Sequence, residues 1–211
     1  MSSCKTGCMV KSRTFVAASL LLTSVLTAVS AQERPTSFKN FSIPASSMLP
    51  TLQRGDVIIT DPSAYEDDTE PARGDVVIFQ SVDGAFFVKR IIALAGEEVA
   101  MRDGTVFING VPLTRSPSTA DTWDGDGTLF EETLPGGQVI QTIDLRVGSP
   151  SDTIPPIVVP EGHFFMMGDN RDNSMDSRFV RVGAIPREKI FAKARRVIFS
   201  STVSRIGVTV E

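Results

Sequence analysis

From residue 56 onward the apolar residues come in short β-branched runs, each cut off by turn residues, and no other feature narrows the fold as much. "DVIIT" (56–60) and "DVVIFQ" (75–80) are followed by "AFFVKRIIALAG" (85–96), "VFING" (106–110) and "QVIQTIDL" (138–145). Asp83-Gly84, Asn109-Gly110, Gly136-Gly137 and Pro155-Pro156 separate or end these runs, and Asn-Gly is a strong hairpin signal. Strands with turns every 8–12 residues predict a mostly β fold of antiparallel sheets. A doubly wound α/β fold would need long amphipathic helices, and only about residues 187 to 195 offer even a short one. The length of 211 residues suits one domain with an inserted lobe. Residues 111–160, the most turn-rich stretch, are assigned to that smaller β lobe.

The first 31 residues are of another kind. Lys5, Lys11 and Arg13 precede "TFVAASLLLTSVLTAVSA" (14–31), which carries no charge and ends with Val29 and Ala31 at the −3 and −1 positions of a possible cut. That layout fits a cleavable secretory signal, and equally an uncleaved apolar anchor helix near the short end of the roughly 17–25 residues a span needs. Either way the basic side stays in the cytoplasm and residues 32–211 are exported. Cys4 and Cys8 precede this segment and the chain has no other cysteine, so neither a disulfide framework nor a metal site is expected. The net charge of −4 argues against a nucleic-acid partner.

Three segments carry reactive side chains, and each alone has a bland reading beside a chemical one. Ser46 and Ser47 in "IPASSMLPT" lie on a turn stiffened by Pro44 and Pro50. Such a serine either caps local structure or presents a nucleophile with backbone N–H groups free to hold an oxyanion. Its proton acceptor is the difficulty, because the chain has one histidine. His163 sits beside an apolar run where a packed or half-exposed ring is the simpler reading. In an extended "FFVKRII", alternation sets Phe87, Lys89 and Ile91 on one face, with Phe86, Val88, Arg90 and Ile92 on the other. Lys89 either snorkels across a solvated face or loses hydration, which lowers its pKa toward that of a general base. Arg90 points the other way and cannot replace it, since a guanidinium does not deprotonate.

"GDNRDNSMDSR" (168–178) is rich in Asp and Asn. It fails as a calcium loop, because from Asp172 the sixth position is Ser177 rather than Gly and the twelfth is Gly183 rather than Glu. It reads either as turn structure with Asp–Arg pairs or as the source of a hydroxyl, such as that of Ser174, that aims a neutral lysine. Arg-Gly-Asp occurs twice (54–56 and 73–75) and invites an adhesion reading, but Gly-Asp opens a strand both times, which is ordinary turn chemistry.

Taken together, "PASSMLPTLQRGDVI", "GDVVIF" with "FVKRIIALAGE", and "MGDNRDNSMDSR" resemble, in order and spacing, the bacterial type I signal peptidases over nearly all of residues 38 to 198. The resemblance implies a barrel-like β peptidase domain and a Ser-Lys endopeptidase that removes signal peptides from exported preproteins. It also implies a place on the outer face of the cytoplasmic membrane, with secretory preproteins and the lipid surface as partners and no cofactor or metal. By the same resemblance Ser47 is the nucleophile, Lys89 the general base, Ser174 the serine that orients it, and Asp176 with Arg178 a supporting ion pair. Asp169 and Arg171 belong to the same box with a structural role, and His163 has no catalytic one. Many members carry serine two positions before the nucleophile, whose hydroxyl helps hold the oxyanion. Here Ala45 stands there, leaving the Ser47 backbone N–H. That departure keeps open a non-catalytic binding protein of the same fold, and a specialised peptidase of the family is also open. The apolar residues around the turn, Phe41, Ile43, Met48 and Leu49, either meet the bilayer interface or pack in the core.

Overall fold

A computed structural model describes residues 38–66, 69–81, 84–119 and 125–211, all within one compact unit, Arg34–Glu211. The predicted N-terminal apolar helix (14–31) lies outside the described residues. Among the described residues no helix is long and apolar enough to cross a membrane.

The chain enters through β1 (Lys39–Ser42), β2 (Val57–Asp61), β3 (Val76–Gln80) and β4 (Phe86–Ala93). A meander of β5 (Glu98–Arg102), β6 (Thr105–Ile108) and β7 (Val111–Pro112) follows. Then come β8 (Thr114–Pro117), β9 (Thr128–Thr133) and β10 (Val139–Asp144), which form a three-stranded sheet of their own. Next, β11 (Ile154–Val158) returns to pair with β5. Last are β12 (His163–Met167), β13 (Ile185–Pro186) and β14 (Ile190–Phe199). The largest sheet has the order β1-β2-β14-β3-β4-β12-β13, and every pairing in it is antiparallel. Mostly antiparallel β structure is therefore as the alternation predicts.

Two expectations need correction. The sheet is not a closed barrel: β1 and β13 are its edges, and no described pairing joins them. Residues 187–195 are not a helix either. After a 3-10 turn at Arg187–Lys189 they enter β14, where Ile190, Ala192 and Ala194 are buried and their neighbours less so. That period of two is a strand's, and β14 fills the place between β2 and β3. Within residues 111–160 only β8 to β10 stand apart, since β7 and β11 complete the sheet of β5 and β6.

The core explains why β3 reads as an unbroken apolar run. Val76 and Ile78 pack with Ile43, Met48 and Ile58 on one face, while Val77 and Phe79 pack with Ile91, Phe164 and Met166 on the other. A third cluster, including Ile92, Met101, Val106 and Phe165, joins β4 and β12 to the four-stranded sheet. A strand covered on both faces has no solvent side to carry polar residues. Ile78 is fully buried at the centre of this arrangement. Ile78→Ala is expected to lower the unfolding free energy by about 2–5 kcal/mol in urea titration, the range for emptying a packed aliphatic site.

Candidate active site

On β4, pairing with β3 runs from Phe86 through Arg90, whereas β12 joins only at Arg90 and beyond. Residues 86–89 therefore keep one edge free of any described strand. β1, paired only with β2, offers a second open edge. Residues of both strands, Phe41 and Ser42 from one and Phe86 and Val88 from the other, line a cleft of about 360 Å3, and so do Ser47 and Lys89.

Lys89 is almost completely buried, at 2% exposure. Its Nζ donates to Ser47 Oγ at 2.9 Å and to the Val88 carbonyl at 2.8 Å, and it lies 5.6 Å from the centre of the Phe87 ring. Burial strips the ammonium of water and pushes the pKa down from 10.5 to about 8. The carboxylates of Asp176 and Asp169 pull it upward, while Arg178 acts in the same sense as burial. Of the two readings of this lysine, the structure has the buried one, and loss of hydration is what lowers its basicity.

The turn that presents Ser47 is anchored from three sides. Ile43 N–H donates to the Asp56 carbonyl and Gly55 N–H to the Ile43 carbonyl, both at 2.8 Å, which closes the loop between β1 and β2. Gly55 has a φ of +92°, a conformation that suits glycine. Arg205 pairs with Asp56 at 2.7 Å and donates to the Thr51 carbonyl at 2.8 Å. Asn170 holds the turn from above, its N–H on the Ser47 carbonyl and its Nδ2 on the Ser46 carbonyl, both at 3.1 Å. Among the described residues no hydrogen bond engages the Ser47 N–H. Ala45 is exposed beside it and lines the same cleft.

The loop 168–178 supplies the remaining wall. Asp176 and Arg178 form a buried two-pronged pair, Nε to Oδ1 and Nη2 to Oδ2, both at 2.9 Å. Asp176 Oδ2 also accepts from Gly168 N–H at 3.0 Å. Gly168 has no room for a side chain: a Cβ would lie 2.3 Å from Ser174 Oγ and 2.4 Å from the Ser47 carbonyl oxygen. The glycine thus lets this loop touch the Ser47 turn. Ser174 is packed here, but its Oγ is buried without a hydrogen-bond partner among the described residues, and the lysine's bonds go to Ser47 and Val88 instead.

Other residues fall as follows. His163 is half-buried at the start of β12, where Nδ1–H donates to the Glu161 carbonyl at 2.8 Å. Ile43 and Met48 are core residues, at 4% and 1% exposure, so of the apolar set around the turn only Phe41 and Leu49 retain some surface. The adhesion reading is overturned, because both aspartates are inside. Asp56 pairs with Arg205, and Asp75 accepts from Tyr65 Oη and Lys193 Nζ. One pair escaped the sequence: Arg90 binds both oxygens of Asp169 at 2.8 Å, with both side chains buried, and Thr51 Oγ1 donates to Asp169 at 2.5 Å. An arginine on the covered face of β4 needs a buried carboxylate, and that demand is the signal that would have pointed to one.

Residues 14–199 match a family model described as signal peptidase, peptidase S26. Signal peptidase I of Rickettsia prowazekii is 30% identical, over 78% of this chain and 73% of its own length. Signal peptidase I of Rickettsia akari is 31% identical, over 78% and 72%. A crystal structure of a signal peptidase I from Enterococcus faecalis is 28% identical and covers 59% of this chain and 97% of that one, with a TM-score of 0.37.

The buried lysine has a thermodynamic consequence. With the folded-state pKa lowered to about 8, the unfolded chain binds more protons than the folded one between pH 8 and 10.5. Stability attributable to Lys89 therefore rises with pH across that window, and the full penalty is present below it. Relative to Lys89→Met, the protein is expected to gain about 3 kcal/mol of unfolding free energy between pH 7 and 10.5, read from urea titrations. An unchanged difference would mean that the amine is solvated.

Proposed function

The chain belongs to the peptidase S26 family of signal peptidases, and from that premise we propose that it cleaves signal peptides from exported preproteins with a Ser47–Lys89 dyad. The 2.9 Å contact between Lys89 Nζ and Ser47 Oγ carries this reading. With a pKa near 8, a useful fraction of the lysine is neutral at physiological pH and has a lone pair for the hydroxyl proton. Ser47 Oγ attacks the scissile carbonyl as Lys89 takes that proton. The negative oxygen of the tetrahedral adduct is met by the Ser47 N–H, a donor not committed elsewhere among the described residues. Lys89 returns the proton to the departing amine, which leaves with the mature protein. The signal peptide stays as an ester on Ser47 until a water, deprotonated by Lys89, hydrolyses it.

The substrate is proposed to lie extended between the free edges of β1 and β4, adding a strand by main-chain hydrogen bonds. Side chains then alternate, and the small residues at −1 and −3 face the cleft wall that includes Ile43, Met48 and Val88. Asp176 and Arg178 steady the wall behind Lys89, and Ser174, packed on Gly168, is proposed to orient the amine during the reaction. Catalysis is assigned to residues 32–211 on the outer side of the cytoplasmic membrane, with residues 1–31 as signal or anchor and β8 to β10 as a lobe of the variable region 111–160.

Ser47→Ala is expected to abolish cleavage of a model preprotein, and so is Lys89→Arg, which keeps charge but cannot act as a base. In the unmodified enzyme kcat/KM should fall by about tenfold per pH unit below about pH 8, as Lys89 gains its proton. Activity that survives Lys89→Arg would remove the general base.

Ala45→Ser restores a hydroxyl beside the oxyanion position. One such donor is worth about a hundredfold or more in kcat where it has been removed from other enzymes. An equal or higher kcat is expected here, and a clear fall would overturn the assignment of Ala45 to the oxyanion side.

A further inference from the structure

Outside the three segments that place Ser47, Lys89 and Ser174 lies a buried carboxylate with its own route to the site. Glu132, on β9 of the three-stranded sheet, is 1% exposed. Its Oε2 accepts from Arg171 Nη2 at 2.6 Å, and its Oε1 accepts from Arg115 Nε at 3.1 Å and Thr142 Oγ1 at 3.0 Å. Arg171 is equally buried, and its Nε and Nη1 have no hydrogen-bond partner among the described residues. Glu132 is therefore the only side chain among them that holds the Arg171 guanidinium.

Arg171 belongs to the segment that grips the Ser47 turn. Its neighbour Asn170 donates to the carbonyl oxygens of Ser47 and Ser46. The same lobe continues the contact through its backbone: Ile143 N–H donates to the Asp169 carbonyl and Arg171 N–H to the Ile143 carbonyl, both at 2.9 Å. Asp172 Oδ2 closes the arrangement by accepting from the N–H groups of Leu145 and Arg146 at 2.8 and 2.9 Å. The loop 169–172 is thus wedged between the Ser47 turn on one side and the end of β10 on the other. A buried guanidinium has no weak alternative to its carboxylate, so the charge pair sets one position for the loop.

We infer that Glu132 is a positioning residue for Ser47, acting through Arg171 and Asn170 to hold the nucleophile turn against Lys89. This rests on the reading of Ser47 as the nucleophile. It gives the three-stranded lobe a part in the reaction, although none of its described strands lines the cleft of Ser47 and Lys89.

Two variants separate positioning from stability, assayed on the full chain with a model preprotein. Glu132→Gln keeps the shape and removes the charge. A small displacement of a catalytic group lowers turnover rather than binding, so kcat should fall by about tenfold with KM within about twofold. In the double variant Glu132→Met with Arg171→Met, an apolar pair replaces the buried ions, an exchange that is often neutral or stabilising. Its unfolding midpoint should match the parent's while kcat stays low, and acylation of Ser47 by a β-lactone reagent should slow in parallel. A double variant with the parent's kcat, or a Glu132→Gln enzyme changed only in KM or only in its midpoint, would overturn the positioning role. A parent enzyme as inactive as Ser47→Ala would instead overturn the peptidase reading, and the positioning role with it.

Discussion

Taking the Lys89 amine out of water is the constraint on which the rest of the site depends. A buried lysine keeps its proton readily when a carboxylate is free to pair with it. Two carboxylates do pull its pKa upward, yet each has both oxygens engaged elsewhere. Asp169 is held by Arg90 and Thr51, and Asp176 by Arg178 and the Gly168 N–H. The amine is left with one hydroxyl and one carbonyl. Charges stand nearby, but they are paired among themselves, so desolvation decides the balance.

Those same pairs build the scaffold around the lysine. Asp169 ties the loop 168–178 to Arg90, the residue next to Lys89 on β4, and Arg178 donates to the Arg171 carbonyl at 2.6 Å within the loop. Asn170 then fastens the loop to the Ser47 turn, which glycine at 168 allows to come within contact distance. A buried ion pair adds little net stability over an apolar pair of the same shape, but losing one partner is costly, typically about 3–5 kcal/mol. Such a network therefore favours one arrangement over many near ones, which is what the proposed proton transfer over 2.9 Å requires.

Much of this was legible in the residues. The β-branched runs between Gly and Asn turns correspond to strands, and the alternation in "FFVKRII" separated Phe87 and Ile91 from Val88, which do pack in different clusters. Residues 187–195 misled, because Lys, Ala and Arg are good helix formers. The sheet overrode that weak preference, since β2 and β3 each needed a hydrogen-bonded neighbour and β14 is that neighbour. For Ile43 and Met48 the residues left both the bilayer interface and the core open, and the loop folds back and seals them into the core. Arg90 and Asp169 are 79 residues apart and Arg171 and Glu132 are 39 apart, so no local spacing announces either pair.

Residue identity and period settled where the chain turns and how side chains alternate along each run, and they supplied an oxygen and an amine with the chemistry that the resemblance assigns to nucleophile and base. Those properties are local, and they follow from sterics, backbone hydrogen bonding and hydration of a few neighbouring residues. Only the tertiary structure decided that Ser47 and Lys89, 42 positions apart, would meet, and that β10 of the three-stranded lobe would bridge to the loop at Asn170. Alternation says that a side chain is buried but not against what. The partner is chosen by which strands come to share a sheet, and that choice belongs to the packing of the whole domain.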